Sequence, residues 1–134
     1  VIGGRVLDTT ALTDYATCRI YARALVGAAL RSGALVLAVP SGALLAARGQ
    51  LSESARASLT ELVALAPVVV DELTAETAGR CGDLLARSRA RPPGEAVDAA
   101  HVAFSARTRG WPIVTSDPER LLALDAALGI ERLP

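Results

Sequence analysis

The chain has no lysine, one histidine, two cysteines, one tryptophan, one phenylalanine and two tyrosines among 134 residues. Each scarcity excludes something. Cys18 and Cys81 lie far apart and form no CxxC pair, so with a single histidine there is little material for a zinc site. Nor is there a disulfide framework; both cysteines read as buried thiols in a reducing compartment, which places the protein in the cytoplasm. So few aromatics make a base-stacking platform for single-stranded nucleic acid a poor reading. No apolar run approaches the ~20 residues of a membrane span, Ala34–Pro40 being among the longest. No charged segment precedes an apolar one in the manner of a secretory signal. Neither GxGxxG nor GxxxxGK[ST] occurs, so the dinucleotide and P-loop readings lack their phosphate cradle. Fourteen arginines against fourteen acids give a net charge of zero. That argues against a general nucleic-acid coat and leaves room for a local basic patch. What is abundant is apolar: 51% of residues are hydrophobic, enough for one domain over 1–134 with a core of its own and too much for disorder.

The apolar residues fall into alternating strand and helix patterns. Arg5-Val6-Leu7 reads as a first strand ending at Asp8. Cys18 to Ser32 reads as a helix with Tyr21, Leu25 and Ala28 inward, stopped by Gly33. Ala34–Val39 is a continuous apolar strand ending at Pro40, followed by a short Gly42–Arg48 helix. Ser52 caps a helix with Ala55, Leu59, Leu62, Val63 and Ala66 on one stripe. Val68–Val70 is a third strand. Thr74 caps a helix with Ala78, Cys81 and Leu85 inward, and Glu95–Thr108 is a helix apolar nearly all round. Pro112–Thr115 is a fourth strand, Pro118–Leu128 a helix and Ile130–Leu133 a final strand. Strands without in/out alternation, separated by helices, imply a parallel sheet covered on both faces. Ligands bind such sheets outside the carboxyl ends of the strands.

Three acids lie near those ends. Asp8 follows the first strand, Asp117 follows the fourth, and Asp98 opens the helix before it. Each has a local explanation: Asp117 before Pro118 as an N-cap, Asp98 as a first-turn acid facing the helix dipole, Asp8 as the cap of a short helix. Together, if the first and fourth strands are neighbours, they converge on one cleft. Gathered carboxylates repel unless a cation sits between them, and oxygen ligands suit Mg²⁺ or Mn²⁺.

These segments also carry a resemblance. Val6-Leu7-Asp8-Thr9-Thr10-Ala11-Leu12 resembles the opening motif of PIN-domain proteins. Val97-Asp98-Ala99-Ala100-His101-Val102-Ala103 resembles their third acidic motif, and Ile113-Val114-Thr115-Ser116-Asp117-Pro118 their fourth. The order of elements matches over essentially the whole chain, and the likeness is to the VapC-like toxins of type II toxin–antitoxin systems. It implies a three-layer α/β/α sandwich on a central parallel sheet of four to five strands. It implies a Mg²⁺- or Mn²⁺-dependent endoribonuclease, with Asp8, Asp98 and Asp117 as metal ligands and catalytic acids. Thr10, Thr115 and Ser116 would orient those carboxylates or a metal-bound water. The implied partners are RNA, a small antitoxin protein and a second copy of the chain.

One departure weakens the activity this implies. The family places a glutamate on the helix after the second strand, about six residues past the strand-ending proline; here that position is Ala46. No acid occurs between Asp14 and Glu53, and Asp14 is the one nearby carboxylate that could substitute. The alternative function is a degenerate, non-catalytic PIN domain that binds RNA or a protein partner. A phosphate-receiver domain also uses strand-end acids, but the absence of lysine and the order of the acids disfavour it. His101, one turn past Asp98, could face the cleft as a base, although a hydrogen-bonded structural role is the commoner one. Arg87, Arg89, Arg91, Arg107 and Arg109 could form an RNA-facing rim or be ordinary helix-end cations. Trp111 reads as a packing anchor. The Cys18–Ser32 helix has apolar surface to spare at Leu25, Val26, Ala29 and Leu30, a candidate dimer or partner face.

Overall fold

The computed structural model describes residues 3–134. Five strands form one parallel sheet in the order β3-β2-β1-β4-β5. They are β1 (Gly3–Leu7), β2 (Leu35–Pro40), β3 (Val68–Asp71), β4 (Ile113–Thr115) and β5 (Ile130–Arg132). Helices α1 (Thr9–Ala16) and α2 (Ile20–Ser32) join β1 to β2, and α3 (Ser41–Gln50) and α4 (Glu53–Val63) join β2 to β3. Helix α5 (Ala75–Arg87), a 3-10 turn (Pro93–Ala96) and α6 (Val97–Arg109) carry the chain across to β4, and α7 (Pro118–Leu122) leads to β5. The fold is the α/β sandwich with five parallel strands that the sequence implies.

The central strands are apolar without alternation because both faces are covered: Leu37, Ala38 and Val39 of β2 are fully buried. The fully buried Leu12, Leu59, Leu62, Val102 and Ile113 bring α1, α4 and α6 onto the same core. Two glycines are set by close approach. A Cβ on Gly4 would lie 2.2 Å from the indole ring of Trp111, which packs flat against the start of β1. A Cβ on Gly42 would meet the His101 ring at 3.0 Å.

The register places β1 between β2 and β4, with Val6 opposite both Ala38 and Ile113. The chain moves outward through β2 and β3, then returns to build β4 on the other side of β1. The carboxyl ends of β1 and β4 therefore flank a topological switch point, where an open α/β sheet leaves a crevice.

Several local expectations need correction. The second helix starts at Ile20, not Cys18, because Cys18 takes a left-handed conformation (φ 63°) and interrupts the chain after α1. Cys18 is exposed, not buried; only Cys81 is a core thiol. On α2 the inward residues are Ala22, Val26 and Ala29, while Tyr21 is 60% exposed. On α5 the inward pair is Cys81 and Leu84, with Ala78 exposed. Ala66 lies beyond the end of α4 and is exposed. Glu95 belongs to the 3-10 turn before α6, and α7 stops at Leu122, six residues short of Leu128.

Candidate functional site

Asp8 leaves β1 and becomes the N-cap of α1, its Oδ1 accepting the Ala11 N–H at 2.9 Å. The same oxygen accepts the Thr10 hydroxyl at 2.7 Å. Thr10 Oγ1 in turn accepts the Ser116 N–H at 2.9 Å and lies 3.3 Å from Thr115 Oγ1, which accepts the Asp117 N–H at 2.9 Å. Two hydroxyls thus tie the end of β1 to the turn after β4. Backbone N–H groups after β4 feed the hydroxyls, which frees the Thr10 proton for Asp8. Ser116 takes part through its backbone N–H.

Asp8 is 5% exposed. Burial pushes its carboxyl above the usual aspartate range, against the lowering effect of the Thr115 and Thr10 hydroxyls and the Ala11 N–H. No arginine is bonded to it. Asp117 is exposed and begins α7, yet its side chain makes no capping bond. The N-cap explanation of Asp117 therefore does not use its carboxylate.

Asp98, in the first turn of α6, is already occupied. Arg120 of α7 clamps it with both ends of its guanidinium, Nη1 to Oδ2 at 2.9 Å and Nη2 to Oδ1 at 2.5 Å, while the Thr9 hydroxyl donates to Oδ2 at 2.5 Å. Burial acts to raise the Asp98 pKa, but the Arg120 hydrogen bonds and charge, with the Thr9 hydroxyl and the Ala99 N–H, outweigh it and hold the carboxyl below its ordinary value. The Arg120 Nη2 also donates to the Glu95 carbonyl. Bidentate pairs of this kind are among the stronger hydrogen-bonded contacts a protein makes.

A cleft of about 440 Å³ opens over this end of the sheet, lined among others by Thr9, Thr10, Asp98, Ser116, Asp117 and Arg120. Asp98 and Asp117 stand in its wall, while Asp8 lies buried beside Thr9 and Thr10. Ala46 of α3 also lines it, so the position lacking the expected glutamate faces the acids. Asp14 lines it as well, its carboxylate 4.0 Å from Arg19 Nε. Among the described residues, no three histidine, cysteine or carboxylate side chains are grouped closely enough to hold one ion.

The remaining candidates lie elsewhere. His101 is buried outside the acid cleft; its Nδ1 accepts the Gly42 N–H at 3.0 Å, which fixes the neutral Nε2–H tautomer. Burial lowers its pKa, against the pull of the Asp71 charge, and Nε2 finds no partner. Arg109 is committed within the fold: it forms a bidentate pair with Asp71, at 2.9 and 2.5 Å, and stacks over Trp111. Burial tends to raise the Asp71 pKa, but the Arg109 hydrogen bonds and charge, with the Ser105 hydroxyl, leave it lowered. Arg107 lies 3.3 Å from Asp125. Arg89 and Arg91 line a second pocket of about 390 Å³ that they share with Arg120. Arg120 is the residue that sequence reasoning missed. The one available signal was its position three residues after Asp117, which puts it one helical turn from the acid cluster.

No protein-family model and no curated protein sequence matches the chain. Its fold is similar to that of a chain in the crystal structure of VapBC2 from Rickettsia felis bound to a DNA fragment from their promoter, at a TM-score of 0.63 over 96% of this chain and 98% of that one. The two are 13% identical. The architecture is thus PIN-like over nearly its whole length.

Proposed function

We propose that the protein is a divalent-metal-dependent endoribonuclease of the PIN/toxin type, acting on RNA phosphodiesters with reduced activity. One observation supports this reading: Asp98 and Asp117, from distant segments, line one open cleft at the β1–β4 switch point, with Asp8 buried beside it. The donor set suits a weakly held Mg²⁺ or Mn²⁺, which commonly uses one or two carboxylates and keeps several waters. Asp8 is a desolvated carboxylate that a cation would relieve, and the Asp117 carboxylate is uncommitted to its helix. These two would hold the ion, and Asp98, once freed from Arg120, would act on it through a bound water. When bound, the cation supplies positive charge for the phosphodiester oxygens and acidifies a water.

The chain's own residues prepare that chemistry. The Thr10 and Thr115 hydroxyls fix the Asp8 carboxylate in one orientation, and the Ser116 and Asp117 amides fix the hydroxyls. Asp117 faces the cleft with both oxygens available. Without an acid at position 46, one ligand is replaced by water, so metal affinity and turnover are low. The expected partners follow the same reading: RNA in the cleft, and a small antitoxin protein or a second copy on the exposed apolar residues of α2. The VapBC2 complex, which pairs two proteins on promoter DNA, supports the antitoxin partner.

The test is cleavage of single-stranded RNA in Mn²⁺. Slow cleavage by the wild type, abolished by Asp117→Asn and increased by Ala46→Glu, is the expected result. No cleavage by either the wild type or Ala46→Glu overturns it. The second reading, a non-catalytic RNA- or protein-binding domain, is favoured by the Arg120–Asp98 clamp, which fills the cleft with an internal cation; it takes over in that case.

A further inference from the structure

Arg120 belongs to two clefts at once. On one side it lines the acid cleft with Asp98, Asp117 and Ala46; on the other it lines the pocket of Arg89 and Arg91. Its charge reaches all three acids: its own pKa is raised by Asp98, through hydrogen bonds first, against the lowering effect of burial, and by the charges of Asp117 and Asp8. The clamp engages both Asp98 oxygens and leaves Nε without a partner among the described residues. A metal ion approaching Asp98 therefore meets a fixed positive charge and a carboxylate whose two oxygens both already accept hydrogen bonds.

The neighbouring pocket has the opposite character. Arg89 and Arg91 are exposed, and neither makes an ion pair among the described residues. Arg91 Nη1 donates only to the backbone carbonyls of Ser88 and Ala90. With Arg120 in the shared wall, three arginines line about 390 Å³ of space, with Glu95 the one acid among its lining residues. Guanidiniums bind phosphate oxygens in the same forked manner in which Arg120 binds Asp98. A phosphate in that pocket therefore competes with Asp98 for the Arg120 fork.

We infer that Arg120 is a two-position latch: clamped on Asp98 it closes the acid cleft to metal, and turned onto a nucleic-acid backbone phosphate held with Arg89 and Arg91 it releases Asp98 for the metal. The inference rests on the reading of the cleft as a metal site and adds its order of assembly, phosphate first and full metal coordination second. It also assigns the pocket beside the cleft as a phosphate subsite.

The experiment is a Mn²⁺ titration by isothermal calorimetry, with no RNA and no cleavage readout. Arg120→Met should bind Mn²⁺ roughly tenfold more tightly than the wild type, since a unit charge beside the ion is removed. Arg120→Lys, which keeps the charge without the fork, should fall between them and covers the case in which Arg120→Met does not fold. The double variant Asp98→Asn/Arg120→Met should lose the gain. Sulfate in place of chloride at matched ionic strength, standing in for the phosphate, should tighten Mn²⁺ binding severalfold in the wild type and not in Arg89→Ala/Arg91→Ala. Unchanged or weaker Mn²⁺ binding in both single Arg120 variants, or a wild type indifferent to sulfate, overturns the latch. Tighter binding in Arg120→Met, with no RNA cleavage by the wild type or Ala46→Glu, leaves the latch standing and removes the ribonuclease reading. RNA cleavage by a wild type whose Arg120 variants gain no affinity does the reverse.

Discussion

Asp8 is pulled in two directions, desolvated by its burial and held in place by the Thr10 and Thr115 hydroxyls and the Ala11 N–H. Its raised pKa means the folded state holds that proton more tightly than the unfolded chain does. Its contribution to stability is full below the unfolded aspartate value and is lost as pH rises through the folded pKa. At neutral pH the ionised carboxylate is therefore a liability unless a cation neutralises it. Asp8→Asn keeps the capping oxygen and removes the charge, so it should raise the metal-free melting temperature. The same change should weaken any response to Mn²⁺. Thermal unfolding in EDTA checks the first outcome; a lower melting temperature would mean that the hydroxyls outweigh burial. The single histidine provides a second check. His101 is buried with a lowered pKa, so its ring resonances should titrate with a midpoint below 6.5 and show the Nε2–H tautomer at neutral pH. Its lowered pKa favours the fold above pH 6.5 and loses that advantage as pH falls towards the folded value. The lowered Asp98 and Asp71 carboxyls lose theirs at more acid pH, as it falls from the unfolded value through their folded ones.

At the scale of elements, helix α3 carries the departure from the PIN-type acid pattern that the sequence resembles. Ala46 faces the cleft from the helix after β2. A glutamate there has space and adds a carboxylate opposite Asp98 and Asp117, so Ala46→Glu should tighten Mn²⁺ binding roughly 10–100-fold, the range of such ligand-sphere changes. Calorimetry of the variant against the wild type measures it. The five strands as elements and the Ser52 and Thr74 caps were legible because they rest on local signals: unbroken apolar runs, and hydroxyl side chains that accept the Ala55 and Thr77 N–H groups; the order of the strands in the sheet was not. The inward faces of α2 and α5 were not. With half the residues apolar, several stripes on one helix look equally hydrophobic, and only the sheet decides which is covered. The break at Cys18 was hidden because left-handed backbone is unusual for a cysteine and leaves no compositional mark. The acid positions were readable from strand ends and motif spacing. The Arg120 clamp was not, since it depends on α7 packing its first turns against α6, a contact between segments 22 residues apart.

At the scale of the molecule, α2 carries three exposed large apolar residues, Ile20, Tyr21 and Leu30, at 75, 60 and 51% exposure, and a second set, Val69, Val70 and Leu73, lies at and just after β3. Those on α2 replace Val26 and Ala29, which the core consumes, as the spare surface of that helix. Ile20→Arg/Leu30→Arg should convert a self-associating protein to a monomer without lowering its melting temperature, as light scattering would show; a wild type already monomeric at high concentration removes the homodimer. The central claim is that the acids at the β1–β4 switch point form a weak divalent-metal site limited by Ala46. Thermal unfolding across a Mn²⁺ series tests it most directly. At free metal tenfold above its dissociation constant, binding to the folded state adds about 1.4 kcal/mol, which is roughly 3–5 °C here. The account predicts a rise of that size for the wild type at millimolar Mn²⁺, reached at lower concentrations by Ala46→Glu. A melting temperature that ignores Mn²⁺ in both proteins would contradict it.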